Sequence, residues 1–409
     1  MIVCIAIDLM DQLLSGATNN GTLISARRFA HQLIEDGHQV RVVCAGDPSR
    51  DGTDSASGIS YYHVPEFHIP LISWLAHRQG TAIARPAETV IRRALTGADI
   101  LHIYEAWPME AACGRIAAEL KVPVLAAFHI QPENITYNLG LRHWPEAVSL
   151  AYAAMRRLFY QKYQHIHCPS QMIADELRRH GFKAQLHVVS NGVPAAFRPL
   201  PQELDLAASK KAASLTPPVP LASFENSAQD SPNDFRLLCV GRLAPEKSQH
   251  TVLEAIALSQ HREQIKLLIA GRGPLEKKLR RQAERLGLRL ELGYREQDEL
   301  VSLMQQADLY LHPALVDIEG LSCLEACACA ALPLISDSPL SASSQFALTE
   351  SSVFRHDQPA DLAAKIDFWL EHPRLRTSWR PRYARLAIDY SLRESVHRIE
   401  GVYQGIIAG

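Results

Sequence analysis

Short apolar runs alternate with segments of helical spacing from one end of the chain to the other. In the first half, Ile2–Ile7, Gln39–Cys44, Ile100–Tyr104, Val122–Phe128 and His165–Cys168 read as buried strands. A helical pattern fills Leu23–Asp36 and stops at Gly37. In the second half the strands are Arg236–Val240, Lys266–Ala270, Leu288–Leu292, Leu309–His312 and Leu332–Ser336. Helices lie between them around Ser248–Leu258, Leu275–Leu286, Gln297–Gln306 and Ser322–Ala330. Such alternation predicts an α/β protein whose parallel sheets are covered by helices.

At 409 residues the chain is too long for one ordinary core, and two domains are expected. The pattern breaks at Ser190–Pro201, where Ser-Asn-Gly-Val-Pro intervenes, and Gln202–Asp234 is rich in Ser, Ala and Pro with little periodicity. The expected division is an N-terminal domain at 1–190, a linker with a poorly ordered insertion at 191–235, and a C-terminal domain at 236–385. A last segment, 386–409, holds a helical pattern at Arg393–Ile407. Open α/β sheets bind ligands beyond the carboxyl ends of their strands, so the chemistry is expected on those loops, facing a cleft between the halves.

Composition narrows the function classes. A net charge of −2 and a pI near 6.8 leave no electrostatic footprint for nucleic acid. No apolar run approaches the roughly 20 residues that span a bilayer. Met1–Ala6 enters a strand directly, without a basic leader, so a cytoplasmic protein is expected. Of the eight cysteines, Cys4, Cys44, Cys113, Cys168 and Cys239 read as small core residues in a reducing compartment. Cys323, Cys327 and Cys329 are closer together, but 329 leaves the helical face shared by the other two and no ligand-spaced histidine accompanies them. Core packing is therefore expected there in preference to a metal.

Two stretches carry the most chemistry. Asp317-Ile-Glu-Gly-Leu-Ser-Cys-Leu-Glu325 sets two carboxylates on either side of a glycine turn that opens a helix, a place suited to an anionic ligand. The same residues permit a plain capping box, with Ser322 and Glu325 at S-x-x-E spacing. In Val240-Gly-Arg-Leu-Ala-Pro-Glu-Lys247, Arg242 and Lys247 follow a strand end, and the planar fork of one and the point charge of the other suit one diphosphate. The alternative is a solvated loop whose cations pair with Glu246. Leu267–Pro274 ends in Gly-x-Gly-Pro, which lacks the third glycine and the later acid of a dinucleotide fingerprint.

Taken in order and spacing, these elements resemble the retaining glycosyltransferases of family 4, over nearly all of the second half. Asp317 stands at the first glutamate of that family's glutamate-seven-glutamate motif, and Glu319 at a position usually aromatic. The resemblance implies two Rossmann-like domains with parallel sheets facing a central cleft, the glycosyltransferase-B architecture, and a final helix returning across it. It implies that Arg242 and Lys247 bind the donor diphosphate, with Gly21, Gly320, Leu321 and Ser322 beside it, and that Glu325 holds the ribose. Arg272, Tyr294 and Arg295 would form the nucleobase loop. Asp317 or Glu319 is the carboxylate facing the donor sugar, and His129 resembles the family's strand-end histidine near the reaction centre.

First-half loops supply the acceptor candidates. Asn20 takes the place of one of the family's paired glycines, in a turn that Asn tolerates. Glu105 sits at the same sheet edge as His129; it reads as an acceptor contact or as the partner of a nearby Arg or Lys, and Glu133 and Asn134 follow in the His129 loop. Trp144, Ala147, Val148, Ala151, Met155, Leu158 and Phe159 recur at helical spacing beside Arg142, Arg156, Arg157 and Lys162. That stripe suits either the protein's own core or an anionic membrane surface. His63–Trp74 is a further apolar stretch suited to flanking an acceptor channel.

The function expected is transfer of a sugar, with retention and without metal or other cofactor, from a nucleotide-diphosphate sugar to a lipid-linked or glycan acceptor in envelope lipid or surface polysaccharide synthesis. Contact with the inner face of a membrane would accompany it. A nucleotide-sugar epimerase or hydrolase of the same plan, or a non-catalytic nucleotide-sugar-binding scaffold, remains the alternative.

Overall fold

The structure, a computed structural model, describes residues 1–10, 21–67, 83–138, 144–201 and 234–409. Asn20, Arg142, residues 68–74 of the apolar stretch and residues 202–233 of the expected insertion lie outside these. The chain divides into two compact units: Met1–Pro132, Leu141–Gly192 and Leu392–Gly409 form the first, and Glu133–Gly140 with Val193–Ser391 the second.

The first unit is built on a sheet of eight strands among the described residues: β1 (Ile2–Met10), β2 (Gln39–Ala45), β3 (Gly52–Thr53), β4 (Ser60–Val64), β5 (Ile100–Ile103), β6 (Val124–Ala127), β7 (His165–Cys168) and β8 (Gln185–Val188). Their order is β3-β4-β2-β1-β5-β6-β7-β8, parallel except for β3 against β4. Central β1 pairs Val3 with Val40 on one side and with Ile100 on the other. Its apolar run is buried from Val3 to Ile7, as a strand covered on both faces requires. The edge strands are the ones that apolar runs do not reveal: Gln185–Val188 is half exposed and Gly52–Thr53 fully so, which leaves them little hydrophobic signature.

The last helix, Leu392–Ala408, belongs to this first unit. Val396, Ile399 and Tyr403 enter one core with Val3, Ile5, Phe29 and Tyr104. Two polar contacts fix it: Tyr403 hydroxyl to His102 Nδ1 at 2.7 Å, and His38 Nε2 to Glu400 Oε1 at 2.7 Å. Residues 386–388 end a separate helix, Pro373–Ile388.

Among its described residues the second unit has six parallel strands: β9 (Phe235–Val240), β10 (Ile265–Ala270), β11 (Leu290–Gly293), β12 (Leu309–His312), β13 (Pro333–Ser336) and β14 (Val353–Phe354), in the order β11-β10-β9-β12-β13-β14. β10, β12 and β13 are buried along their whole length. Cys239, Cys323, Cys327 and Cys329 pack in the core of this unit. Among the described residues no helix is long and apolar enough to cross a membrane.

Gly192 joins the sheet to the last helix under tight constraint. Its φ is +75°, and a Cβ there would lie 2.6 Å from the Leu392 Cα, so both backbone strain and crowding oppose a side chain. Gly192→Ala is expected to destabilise the protein by about 2–4 kcal/mol, read as a lower urea midpoint with an unchanged slope.

Candidate active site

The polar residues of the second unit gather on the loops that leave β9, β10, β11 and β12. The β9 and β10 loops are knitted together through backbone: Leu243 N donates to Arg272 O at 2.9 Å and Leu275 N to Leu243 O at 3.0 Å. Gly271 and Gly273 make this possible. A Cβ on Gly271 would fall 1.9 Å from Gly241 O, and one on Gly273 2.4 Å from Leu243 O. The Gly-x-Gly-Pro element therefore serves the approach of two loops.

Arg242 leaves β9 and its guanidinium pairs with the buried Glu246 at 2.6 Å, while Gln249 Nε2 donates to its carbonyl at 2.8 Å. Lys247 ends the short turn Pro245–Lys247 and turns elsewhere, with its Nζ 2.6 Å from Asp317 Oδ2. Pairing with Glu246, the alternative for both cations, holds for Arg242 alone.

Asp317 is the hub of this loop cluster. Its Oδ1 accepts from Gly320 N at 3.0 Å and Glu319 N at 3.4 Å, and its Oδ2 also lies 3.3 Å from His312 Nε2. Burial pushes the Asp317 carboxyl up, but the Lys247 ammonium and His312 outweigh it and hold the group well below the usual carboxylate range. The helix Leu321–Ala328 starts at Gly320, which has a φ of +85°. Its first turn is not a capping box: Ser322 accepts from the Tyr310 hydroxyl at 2.9 Å and makes no cap bond. With Gly320 as the N-cap, Ser322 lies inside the helix and cannot reach back to its start. Asp317 instead ties down the turn before the helix, through the Glu319 and Gly320 N–H groups. Ser322 Oγ also donates to Val240 O at 3.4 Å, which sets the helix start beside the strand end that carries Arg242. Glu319 and Glu325 are both buried, and Leu321 is half-buried at the helix start.

At the neighbouring strand ends Arg272 stacks over the Tyr294 ring, 4.2 Å from its centre. Arg295 pairs with Glu291 and donates to Tyr294 O at 3.0 Å. The Tyr294 face that Arg272 leaves open is a flat surface of a kind that suits a base.

The first unit gathers a different set. Gly21 opens the helix Gly21–Glu35, and a Cβ on it would meet nothing within 4 Å, so no close approach requires a glycine there among the described residues. Glu105 is buried, and its companions are Asp8 and Glu110, neither Arg nor Lys. Among the described residues the expected cationic partner is thus replaced by a cluster of three buried carboxyls: burial pushes all three up, and acidic neighbours add to it for Asp8 and Glu105. Asp8 Oδ2 accepts from Ala84 N at 3.1 Å. His129 is likewise buried, not open at the strand mouth. It stacks on Tyr104 at 5.3 Å and meets His167 edge-on at 5.5 Å. Neither of its ring nitrogens has a hydrogen-bond partner among the described residues, and burial with the neighbouring His167 holds it well below the usual imidazole range. Glu133, buried, and Asn134, half-buried, lie on the helix Pro132–Asn138 in the stretch that belongs to the second unit.

The apolar stripe on the helix Pro145–Leu158 divides between two environments. Phe159 and the unanticipated Tyr152 are buried, whereas Trp144 is 60% and Leu158 74% exposed, with Leu150 at 71%. Arg156 is committed to the carbonyls of His180 and Gly181. His312, Asp8 and Glu110 are buried beside the candidate site residues Asp317 and Glu105 and belong to none of the motifs. A charged or imidazole side chain at the end of an otherwise apolar strand is the signal that marks Asp8 and His312.

Glu110 allows a direct check. Burial lifts its carboxyl to about 7, against backbone N–H groups of Asp8 and Trp107 that favour the anion. The unfolded chain releases this proton first, so the folded state loses stability as pH rises from about 4.3 towards 7. Glu110→Gln, neutral throughout, is expected to melt about 3 °C above the parent at pH 8 and near it at pH 4.5, by calorimetry.

The comparisons fit this geometry. Residues 223–385 match the family described as "Glycosyl transferases group 1", and residues 19–197 match "Glycosyltransferase Family 4". The chain is 25% identical over 317 residues to alpha-monoglucosyldiacylglycerol synthase of Streptococcus pneumoniae, covering 76% of this chain and 66% of that protein, just under two thirds of its length. The fold is similar to that of HepE from Anabaena in complex with UDP-glucose, at 15% identity and a TM-score of 0.67 over 99% of this chain and 100% of the other. It is similar also to that of WaaG, a glycosyltransferase involved in lipopolysaccharide biosynthesis, at 17% identity and a TM-score of 0.66 over 100% of both chains. Two parallel-sheet α/β units, the ordered loop motifs and the matches to both halves together show that the chain belongs to family 4 of the group 1 glycosyltransferases, with the glycosyltransferase-B fold.

Proposed function

We propose that this protein transfers a hexosyl group, with retention and without a metal ion, from a nucleotide-diphosphate sugar to a lipid or glycan acceptor in the synthesis of envelope glycolipid or polysaccharide. The observation that carries the proposal is the pair of cations, Arg242 and Lys247, on the β9 loop beside the start of the helix Leu321–Ala328. Charge develops on the departing nucleotide diphosphate. Two cations on one loop and the N–H groups of a helix start supply the matching field. Resident cations in this number support metal independence.

The remaining roles follow. Glu325 takes the ribose hydroxyls; Tyr294, Arg272 and Arg295 take the base; Gly320, Leu321 and Ser322 line the diphosphate. Asp317 or Glu319 faces the donor sugar, with Asp317 favoured by its contact with Lys247. In the first unit, Gly21 belongs to the diphosphate side, and His129 contacts the sugar through ring nitrogens that find no other partner among the described residues. Asn20, Glu105, Glu133 and Asn134 serve the acceptor. UDP-glucose is the donor to try first, since HepE of the same fold is seen in complex with it, and the name of the S. pneumoniae relative supports a diacylglycerol-type acceptor. Trp144, Leu150 and Leu158 supply exposed apolar surface for such contact.

Retention is read from the first-formed product by anomeric NMR. Turnover is measured with UDP-glucose and lipid acceptor, with and without EDTA. The Arg242→Ala, Lys247→Ala double variant is expected to lose about 10²-fold or more in kcat and to lose the melting shift given by UDP. Donor binding without transfer would overturn the enzymatic reading, and unchanged affinity and turnover would remove both residues from the donor site.

A further inference from the structure

His312 belongs to none of the matched motifs, yet it touches the side chain at the centre of the loop cluster. We propose that His312 is a positioning residue for the transfer reaction: it keeps Asp317 oriented as an anion when Lys247 turns to the donor diphosphate. The inference rests on the donor reading given above.

The geometry supplies the reason. Oδ2 of Asp317 has two cationic or cation-forming neighbours, Lys247 Nζ at 2.6 Å and His312 Nε2 at 3.3 Å. They differ in freedom. Lys247 ends a single short turn, its side chain is 23% exposed, and its ammonium sits on a flexible four-carbon stem. His312 is 3% exposed and closes β12, where its backbone pairs with Ile335 in register. Its ring lies 6.2 Å from that of Tyr310, centre to centre, the two planes inclined by 25°.

Lys247 also has two claims on it. A diphosphate drawing on the ammonium weakens its hold on Asp317, and a buried carboxylate left without compensation reverts towards the neutral acid. A buried imidazole 3.3 Å from the same oxygen, whose Nε2 has no hydrogen-bond partner among the described residues, is placed to take up the carboxylate and prevent that. Strand geometry supports the arrangement from a second side. Residues two apart in a strand share a face, and Tyr310, two before His312, donates to Ser322 in the first turn of the helix that follows the Asp317-bonded turn. One strand edge thus steadies both the helix start and the carboxylate in front of it.

The test compares the parent with His312→Phe, which keeps a ring but no donor, and His312→Gln, which keeps an N–H. With UDP-glucose and a lipid acceptor, His312→Phe is expected to lower kcat about 10–100-fold with donor KM within about threefold of the parent, as for a mispositioned catalytic group. The acid limb of its kcat profile should move to higher pH, because Asp317 then takes a proton more readily, and His312→Gln should recover most of the loss. Parent-like kcat and pH profile in His312→Phe, or a loss confined to KM, would overturn the proposal. The carboxyl carbon of Asp317, followed by NMR in the ligand-free protein, decides independently of turnover. Its titration should move up in His312→Phe, and an unmoved titration rejects the contact's role. Should the parent itself neither bind UDP nor turn over, the donor reading fails while the NMR result still judges the His312–Asp317 coupling. If His312→Phe does not fold, the same comparisons are made with His312→Gln against Asp317→Asn.

Discussion

A parallel sheet covered by helices on both faces leaves its polar side chains one place to go, the loops beyond the strand ends. This constraint organises both units. β10, β12 and β13 of the second unit are buried throughout, so Arg242, Lys247, Asp317 and Tyr294 all arise from loops at strand ends. The loops themselves have to be held. Gly271 and Gly273 let one loop lie directly on another, and the resulting backbone hydrogen bonds give Arg242 and Lys247 a rigid base. Function here depends on where side chains are absent as much as on where they are present.

The two units treat buried charge in opposite ways. In the second, Asp317 is matched by Lys247 and flanked by His312, so its carboxyl stays ionised far below neutral pH despite burial. In the first, Asp8, Glu105 and Glu110 meet one another and no cation among the described residues, and burial drives them towards the protonated form. His102, His129 and His167 in the same unit are held neutral by the same desolvation. One unit thus presents fixed charges and the other presents neutral acids and imidazoles. Fixed cations suit a departing diphosphate; uncharged, hydrogen-bonding groups suit neutral hydroxyls.

The cations are not idle without ligand. Arg242 rests on Glu246 and Lys247 on Asp317, so in the donor site proposed above a nucleotide-sugar would exchange one set of anionic partners for another. Such exchange keeps the loop ordered before binding, which limits the entropy lost when the donor arrives. It also means that carboxylates around the diphosphate site tune affinity even where they touch no part of the donor.

The sequence by itself determined the α/β class, most central strands to within a residue or two, and the ordered motifs of the second half. Those features are local: apolar runs mark buried strands, and a cation pair or a glycine turn keeps its spacing whatever surrounds it. Edge strands such as Gln185–Val188 escaped because half-exposed pairs carry a weak hydrophobic signature. What only the tertiary structure decided is which charges meet. Lys247 and Asp317 are 70 residues apart, and His312 and Asp317 lie on different elements. Glu105 faces two acids where a basic partner was expected, and His129 is buried with its ring stacked on Tyr104. Pairing and burial of this kind are set by the register of parallel strands distant in sequence, and a linear pattern carries no record of that register.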